Sequence, residues 1–454
     1  MTSEVHAGRR ARSKRAEVND RVLLDAARAM TVDLGWDAVN LHAVAKLVGM
    51  TSRAMDDRFG SRTSVAVAVW MDGPGAAVTS GIVELVDALV PGAGESGQDL
   101  QAAIAGVDRL LRPDVMLAAA LEVMCAALCD SKLRDAIAID LERALGKRLV
   151  LDPLGAPRDR AVAAQVAYVV VTALGLLLAC RRPGASSVSL APLVGDIAQA
   201  LTNASTPAKL PDVESPQMKL EFETAAADPY EALLQGTLIE VADHGYAAST
   251  LARIVAAVGV TQGLVYARHK NKLELFMAAT AWRHEAAIQE NAAMFAALAH
   301  RIGPGRADAV LWREYMRPEH QRGRSLALEQ LRVGWREPVL QAATDAAEAA
   351  FTEATAASNP GIDRESIVSR IHLDFAQGYG AELLPTFIPL AWSLPFDVVT
   401  VPLLGGPRRE GIQQPLVSCR KVRPAASPAR RPRPSCARSR PSDVSEYSTA
   451  TPRR

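Results

Sequence analysis

The 454-residue chain aligns with itself at an offset of about 210 residues, and no other feature constrains its folding as strongly. The segment LLDAARAMTVDLGWDAVNLHAVAKLVGMTSRAMDDRFGSR, beginning at Leu23, lies without a gap over LLQGTLIEVADHGYAASTLARIVAAVGVTQGLVYARHKNK, beginning at Leu233. Leu23, Leu24, Gly35, Leu41, Val48, Gly49 and Thr51 meet identical residues at Leu233, Leu234, Gly245, Leu251, Val258, Gly259 and Thr261. Trp36 meets Tyr246, Val44 meets Ile254, and Arg62 meets Lys272. The chain is too long for one ordinary domain, and a duplicated module accounts for the length.

Apolar residues make up 49% of the chain, enough to bury real cores, while aromatics are only 5% and the apolar stretches are short and Ala-rich. That favours helices over a sandwich or barrel, so the predicted fold class is all-α. Five cysteines without a CxxC pair exclude a disulfide scaffold and a zinc ribbon, and fit a reducing, cytoplasmic setting. The amino terminus has no apolar core behind its positive charges, so it does not read as a signal peptide.

Each copy reads as three short helices. In the second, Asp228-Pro229 is an N-cap followed by proline at the first helical position. Tyr230, Leu233, Leu234, Thr237, Leu238 and Val241 form one face at helical spacing, and Gly245 ends the helix. Thr250 caps a second helix through Leu251, Ile254, Val255 and Val258. Gly259 turns the chain tightly, and Thr261 caps a third helix through Leu264, Val265 and Tyr266. Two helices joined by a glycine turn, the second short and polar outside, form a helix-turn-helix.

The run G-Y-x-x-x-T-L-x-x-I-V-x-x-V-G-V-T-x-G-L-V-Y-x-R-H-x-N-K resembles the amino-terminal DNA-binding segment of the tetracycline-repressor-like (TetR) family. The resemblance covers about 50 residues in each copy and is denser in the second. It implies that a helical, ligand-binding and dimerising part follows each helix-turn-helix. Both parts are present in length. The expected organisation is a basic arm (1–16), a first helix-turn-helix (17–63), a first helical part (64–204) and a Pro-containing polar linker (205–227). A second helix-turn-helix (228–273) and a second helical part (274–404) follow, with a disordered Arg/Pro-rich tail at 405–454.

A recognition helix needs small or polar residues at its start to reach base edges, and donors nearby to hold phosphates. Thr261, Gln262 and Gly263 occupy that start in the second copy. The resemblance implies phosphate contacts from Tyr266, Lys272 and the cap Thr250, with Arg268 a further donor. In the first copy, Asn40, Thr51, Ser52, Arg53, Arg58 and Arg62 are competent for DNA contact, but Asp56 replaces the tyrosine, Asp57 follows it and Arg53 replaces the tight glycine. Two carboxylates near phosphates repel them, so the first copy is either a working reader or a structural relic. His269 stands where Phe59 stands in the first copy and reads as a core or boundary residue. Cys125 and Cys129, four apart on one predicted helix, read as buried small side chains.

The net charge of +1 hides a segregation: the tail from Gly405 carries about +9, and the body is correspondingly acidic. A second basic run, Arg9 to Arg15, could lie along a minor groove. Ala161 to Cys180 is apolar and long enough for a bilayer span, yet it is Ala-rich and without a second span, so a buried interface helix is expected and no membrane partner. The second copy is richer in aromatics, and Trp312, Tyr315, Trp335 and Tyr379 are candidates to line an effector cavity. The glycines of PGAGESGQD lack the lysine and preceding strand of a phosphate loop. No nucleophile, metal or phosphate constellation marks an enzyme, and neither a metal nor another cofactor is expected.

These readings converge on a DNA-binding transcriptional regulator, a repressor released by a small apolar effector, whose partner is a double-stranded operator. The alternative is a helical ligand- or partner-binding protein with vestigial helix-turn-helices. With two unlike heads in one chain, Ala161–Cys180 could pack against its counterpart Ile367–Leu384, making an intramolecular pseudo-dimer; a homodimer is the other arrangement.

Overall fold

The computed structural model describes residues 14–92, 97–146, 148–149, 159–181, 188–204, 209–213 and 228–404, with the side chains of 14–16, 285–292 and 358 excepted. The expected basic arm apart from 14–16, most of the linker and the whole tail lie outside the described residues.

Among the described residues there are nineteen α-helices, three short 3-10 turns and no strands. The first half holds α1 (Lys14–Leu34), α2 (Leu41–Leu47), α3 (Ser52–Phe59), α4 (Arg62–Met71), α5 (Pro74–Leu89), α6 (Leu100–Leu111), α7 (Val115–Ala127), α8 (Ser131–Leu145), α9 (Arg160–Ala179) and α10 (Ala191–Asn203). The second half holds α11 (Pro229–His244), α12 (Leu251–Val258), α13 (Gln262–Tyr266), α14 (Lys272–Ile302), α15 (Pro304–Tyr315), α16 (Gln321–Gly334), α17 (Pro338–Ser358), α18 (Arg364–Phe387) and α19 (Asp397–Leu404). Side-chain caps start most of them: Asp99, Asp114, Asp130, Asp159 and Asp363 each accept from backbone N–H groups that a helix start leaves unpaired.

One apolar core runs from α1 through α9 and takes in Trp312, Leu328, Leu373, Ala381 and Phe396 of the second half. A smaller core, built from Leu233, Leu238, Ile254, Val265 and Phe276, sits under α11–α14. The central contact is between α9 and α18. A Cβ on Gly175 would overlap the Ala376 carbonyl oxygen, and a Cβ on Gly380 would overlap the Val171 carbonyl oxygen. The two backbones therefore touch through two glycines, and the four positions fall into two pairs at one offset of 205 residues (171 and 376, 175 and 380). Between these contacts, Gln377 Nε2 donates to Thr172 Oγ1 at 3.0 Å, joining two positions at that same offset, and to Tyr168 Oη at 2.7 Å. A contact at one sequence offset, flanked by two mirrored contacts at the same offset, is the pattern that two like helices about a dimer's two-fold axis would make.

The segment Ala161–Cys180 lies in α9 up to Ala179, with Cys180 as its C-cap, and α9 is the single described helix long and apolar enough to cross a membrane. Within its most apolar window 89% is buried inside the chain, so that surface is covered by protein. The linker differs in part from a free polar connection. Leu210 and Val213 pack against the cluster of Phe295, Leu298 and Val310. The Asp212 carboxylate sits 3.3 Å from Arg313 and 3.4 Å from Arg317. Two apolar side chains among polar and proline residues suffice to dock that stretch on α15. The helix expected over Ile367–Leu384 extends to Arg364–Phe387, with Pro385 accommodated in its last turn.

Candidate nucleic-acid interface

The second helix-turn-helix is set by its caps and turns. Asp228 accepts from Tyr230 N at 3.0 Å, and Pro229 opens α11. Gly245 has φ +78°, a conformation side chains resist, and it releases the chain sideways so that Tyr246 N donates to Glu329 Oε2 at 2.8 Å. Thr250 Oγ1 accepts from Arg253 N at 3.2 Å to start α12, and Gly259, left-handed, makes the turn into α13. Val265 is buried against the core. Thr261, Gln262, Gly263 and Tyr266 are exposed, Tyr266 at 60%. Thr261 makes no side-chain cap bond, in contrast to Thr51, whose Oγ1 accepts from Ala54 N at 3.3 Å. Thr250, Thr261, Gln262, Gly263 and Tyr266 thus lie in the solvent-facing part of one small substructure.

The cationic candidates behave differently. Lys272 Nζ donates to the carbonyls of Tyr246 and Ser249, at 2.7 and 2.9 Å, and lies 4.1 Å from the centre of the Tyr246 ring. Partial burial lowers its pKa below the ordinary lysine value. Two of its three N–H donors hold the backbone between α11 and α12. Arg62, 210 positions earlier, donates to the Trp36 carbonyl and lies over the Trp36 ring at 5.0 Å. Arg268 stacks on the Tyr230 ring at 4.0 Å, and Arg58 donates to Asp20 Oδ1 at 2.7 Å and to the Ala54 carbonyl at 2.9 Å. Both of these arginines fold back on the first helix of their module. Spacing alone showed a donor at each position but not the partner 38 residues away that captures it.

In the first module, Asn40 caps α2 by accepting from Ala43 N at 2.8 Å. Ser52 Oγ is 2.7 Å from His42 Nδ1, and the Arg53 side chain is 90% exposed, 3.8 Å from Asp57. Asp56 and Asp57 are exposed on the same short helix. The start of α3 therefore offers donors while its end offers carboxylates. Lys270 in the second module is a further cation near the recognition helix. It is exposed in the turn between α13 and α14, and its only sequence signal is a cation just after the recognition helix.

Of the effector candidates, Trp312, Tyr315 and Tyr379 are drawn together and Trp335 is not. Trp312 packs edge-on to Phe396 at 5.0 Å and near Tyr168 at 6.0 Å. Tyr315 Oη donates to the Gly378 carbonyl at 3.2 Å, and its buried hydroxyl titrates well above the ordinary range. Trp335 instead carries the Arg181 guanidinium on its face at 5.0 Å. His269 is buried, its Nε2 3.0 Å from the Tyr230 hydroxyl, and desolvation lowers its pKa. Cys125 is buried and its thiol is pushed up to about 12 by desolvation, whereas Cys129 is exposed at the end of its helix rather than buried.

The comparisons bear on this second module. No curated protein matches the chain. Residues 233–279, from α11 through α13 into α14, match the model of a family described as bacterial regulatory proteins, tetR family, which supports membership of that family and a DNA-binding transcriptional regulator.

Proposed function

We propose that the chain is a transcriptional repressor built from two tandem TetR-like units, joined as an intramolecular pseudo-dimer and released from DNA by a small apolar effector. The observation that carries the DNA-binding reading is the exposed polar start of α13, Thr261-Gln262-Gly263, followed by Tyr266, inside the segment that matches the family. A short helix with such an amino-terminal end suits entry into a major groove. The reciprocal contact of α9 and α18 supports the pseudo-dimer, because ordinary oligomers place two like helices about such an axis.

Unlike heads read unlike half-sites. Gln262 suits adenine and Arg53 suits guanine, so the operator lacks palindromy. The second head carries most of the affinity, since the first presents Asp56 and Asp57 to the phosphates. Trp312, Tyr315 and Tyr379 are the proposed effector-proximal side chains. Selecting bound fragments from random DNA, with light scattering of the complex, tests this. One chain on an asymmetric site is the expected result. A dimer of chains on a perfect palindrome overturns the pseudo-dimer, and no selected sequence at all overturns DNA reading. In that last case the second reading, a helical binding protein with vestigial heads, follows; the exposed carboxylates on α3 are the observation in its favour.

A further inference from the structure

Where the two halves meet, a cluster of charged side chains closes on the first helix-turn-helix and not symmetrically on the second. Glu122, on α7, is fully buried, and its Oε2 accepts from Trp36 N at 3.3 Å, just past the end of α1. Arg336, which follows α16 in the second half, reaches the same carboxylate with Nη2, 2.8 Å from Oε1 and 2.7 Å from Oε2. Its Nε donates to the Leu34 carbonyl at 3.1 Å, one of the acceptors that the end of α1 leaves unpaired. A Cβ on Gly35 would overlap the Arg336 guanidinium, so the glycine that turns the chain also makes the seat for this side chain. Arg181 adds a 2.7 Å contact to Glu122 Oε1, and Arg332 lies 3.5 Å from Asp37.

The counterpart place in the second module is built otherwise. Glu329, 207 positions after Glu122, accepts from Tyr246 N as Glu122 does from Trp36 N. At the same offset, however, Arg332 and Arg336 correspond to Cys125 and Cys129. Cys129 Sγ lies against Gly245, 3.6 Å from where a Cβ would stand, and offers a thiol where Arg336 offers a charged fork. The first head is therefore gripped by a guanidinium from the opposite half, whereas at the matching position the second meets the Cys129 thiol.

We propose that Arg336 is a positioning residue, paired with Glu122, through which the second half holds the first helix-turn-helix in its DNA-reading orientation. This rests on the reading that the first head contacts a half-site. Nη2, shared between both oxygens of a carboxylate that also binds the Trp36 amide, together with the Nε bond to the Leu34 carbonyl, restrains both the end of α1 and the turn into α2. Within the first half the same turn is also held by Arg62, which donates to the Trp36 carbonyl and lies 3.7 Å from Asp37.

The test compares the full-length chain with Arg336→Ala and Arg336→Lys. Amide exchange is followed at residues 34–39, and binding is measured to the selected operator and to a probe with the first half-site scrambled. Expected for Arg336→Ala are at least about tenfold faster exchange at 34–39 and unchanged exchange across 251–266. Affinity for the intact operator should fall about tenfold, to that of the scrambled probe, while scrambled-probe affinity stays within about twofold. Arg336→Lys, which keeps the charge but not the fork, should recover only part of the loss. Unchanged exchange at 34–39 overturns the proposal, as does faster exchange with intact-operator affinity untouched. A wild-type chain that selects no DNA sinks the functional reading instead, and the exchange measurement still reports whether Arg336 holds the first head.

Discussion

Arg324 and Glu382 form an ion pair, Nε to Oε2 3.3 Å, with side chains 0% and 1% exposed. Arg324 also donates to the carbonyls of Tyr315 and Arg317 and lies 4.4 Å from the Trp392 ring, while Ser325 Oγ donates to Glu382 Oε1 at 2.6 Å. Burial pushes the Glu382 carboxyl up to about 7 against the pull of Arg324. In the first half the positions 207 and 205 residues earlier are Leu117 and Leu177, both buried. The same kind of interior is thus apolar in one half and ionic in the other. Glu382→Leu alone should cost about 3–5 kcal/mol, because it leaves the buried Arg324 charge unpaired, and Arg324→Leu about 1–3 kcal/mol, because the carboxyl is then neutral but loses its donor, whereas the double change should be neutral or stabilise by about 1–4 kcal/mol. Thermal and urea unfolding of the three variants check this, and a double variant as weak as the singles would contradict it.

The contact of α9 with α18 predicts a contrast between glycines. Gly175→Ala must push two backbones apart and should cost about 1–3 kcal/mol or more, since its Cβ meets the Ala376 carbonyl. Gly81→Ala, inside α5 with open space around its Cβ, should instead stabilise by about 0.5–1 kcal/mol. Melting temperatures moving in opposite directions would bear this out; equal shifts would not.

For DNA binding, Gln262→Ala should relax sequence choice at one or two base pairs without changing stability, because the side chain is exposed. Lys272→Ala should weaken binding to all sequences, flatten the salt slope by about one unit and lower the melting temperature. The stability loss is expected because Lys272 holds the Tyr246 and Ser249 carbonyls. A Lys272→Ala variant with normal melting and an unchanged salt slope would remove it from both roles.

Much of this site was legible because caps and turns act locally. Asp228, Thr250 and Gly259 do in space what their residue types and spacing imply, and the apolar run of α9 announces a buried helix. What spacing could not supply is where long cations end up. Arg58 and Arg268 sit at matching positions, yet one meets Asp20 and the other stacks on Tyr230. Arg336 meets Glu122 across 214 residues of chain, a distance over which no local pattern carries information. The docking of Leu210 and Val213 was hidden for the same reason, since their partners lie on α14 and α15.

Thiol chemistry gives a further check on the core. Burial pushes the Cys125 and Cys180 thiols up to about 12. At pH 8 in the native chain, alkylation should therefore spare both, reaching them only on unfolding, while Cys129, whose thiol desolvation also raises but whose side chain is exposed, is modified sooner. Peptide mass spectrometry after timed labelling reads the order, and early modification of Cys125 would show that α7 does not sit in a closed interior.

Because α9 and α18 belong to one polypeptide, their encounter is not subject to dilution. An association between separate subunits weakens as protein becomes scarce, whereas a tethered one keeps a fixed local concentration however few molecules a cell contains. On the proposed reading, operator occupancy then follows a simple first-order isotherm in protein, without the sigmoid that subunit assembly imposes. The same tether has a genetic face. A damaged copy cannot mix its faulty head into an intact molecule, so loss-of-function alleles of such a chain should be recessive where those of an assembled dimer can be dominant.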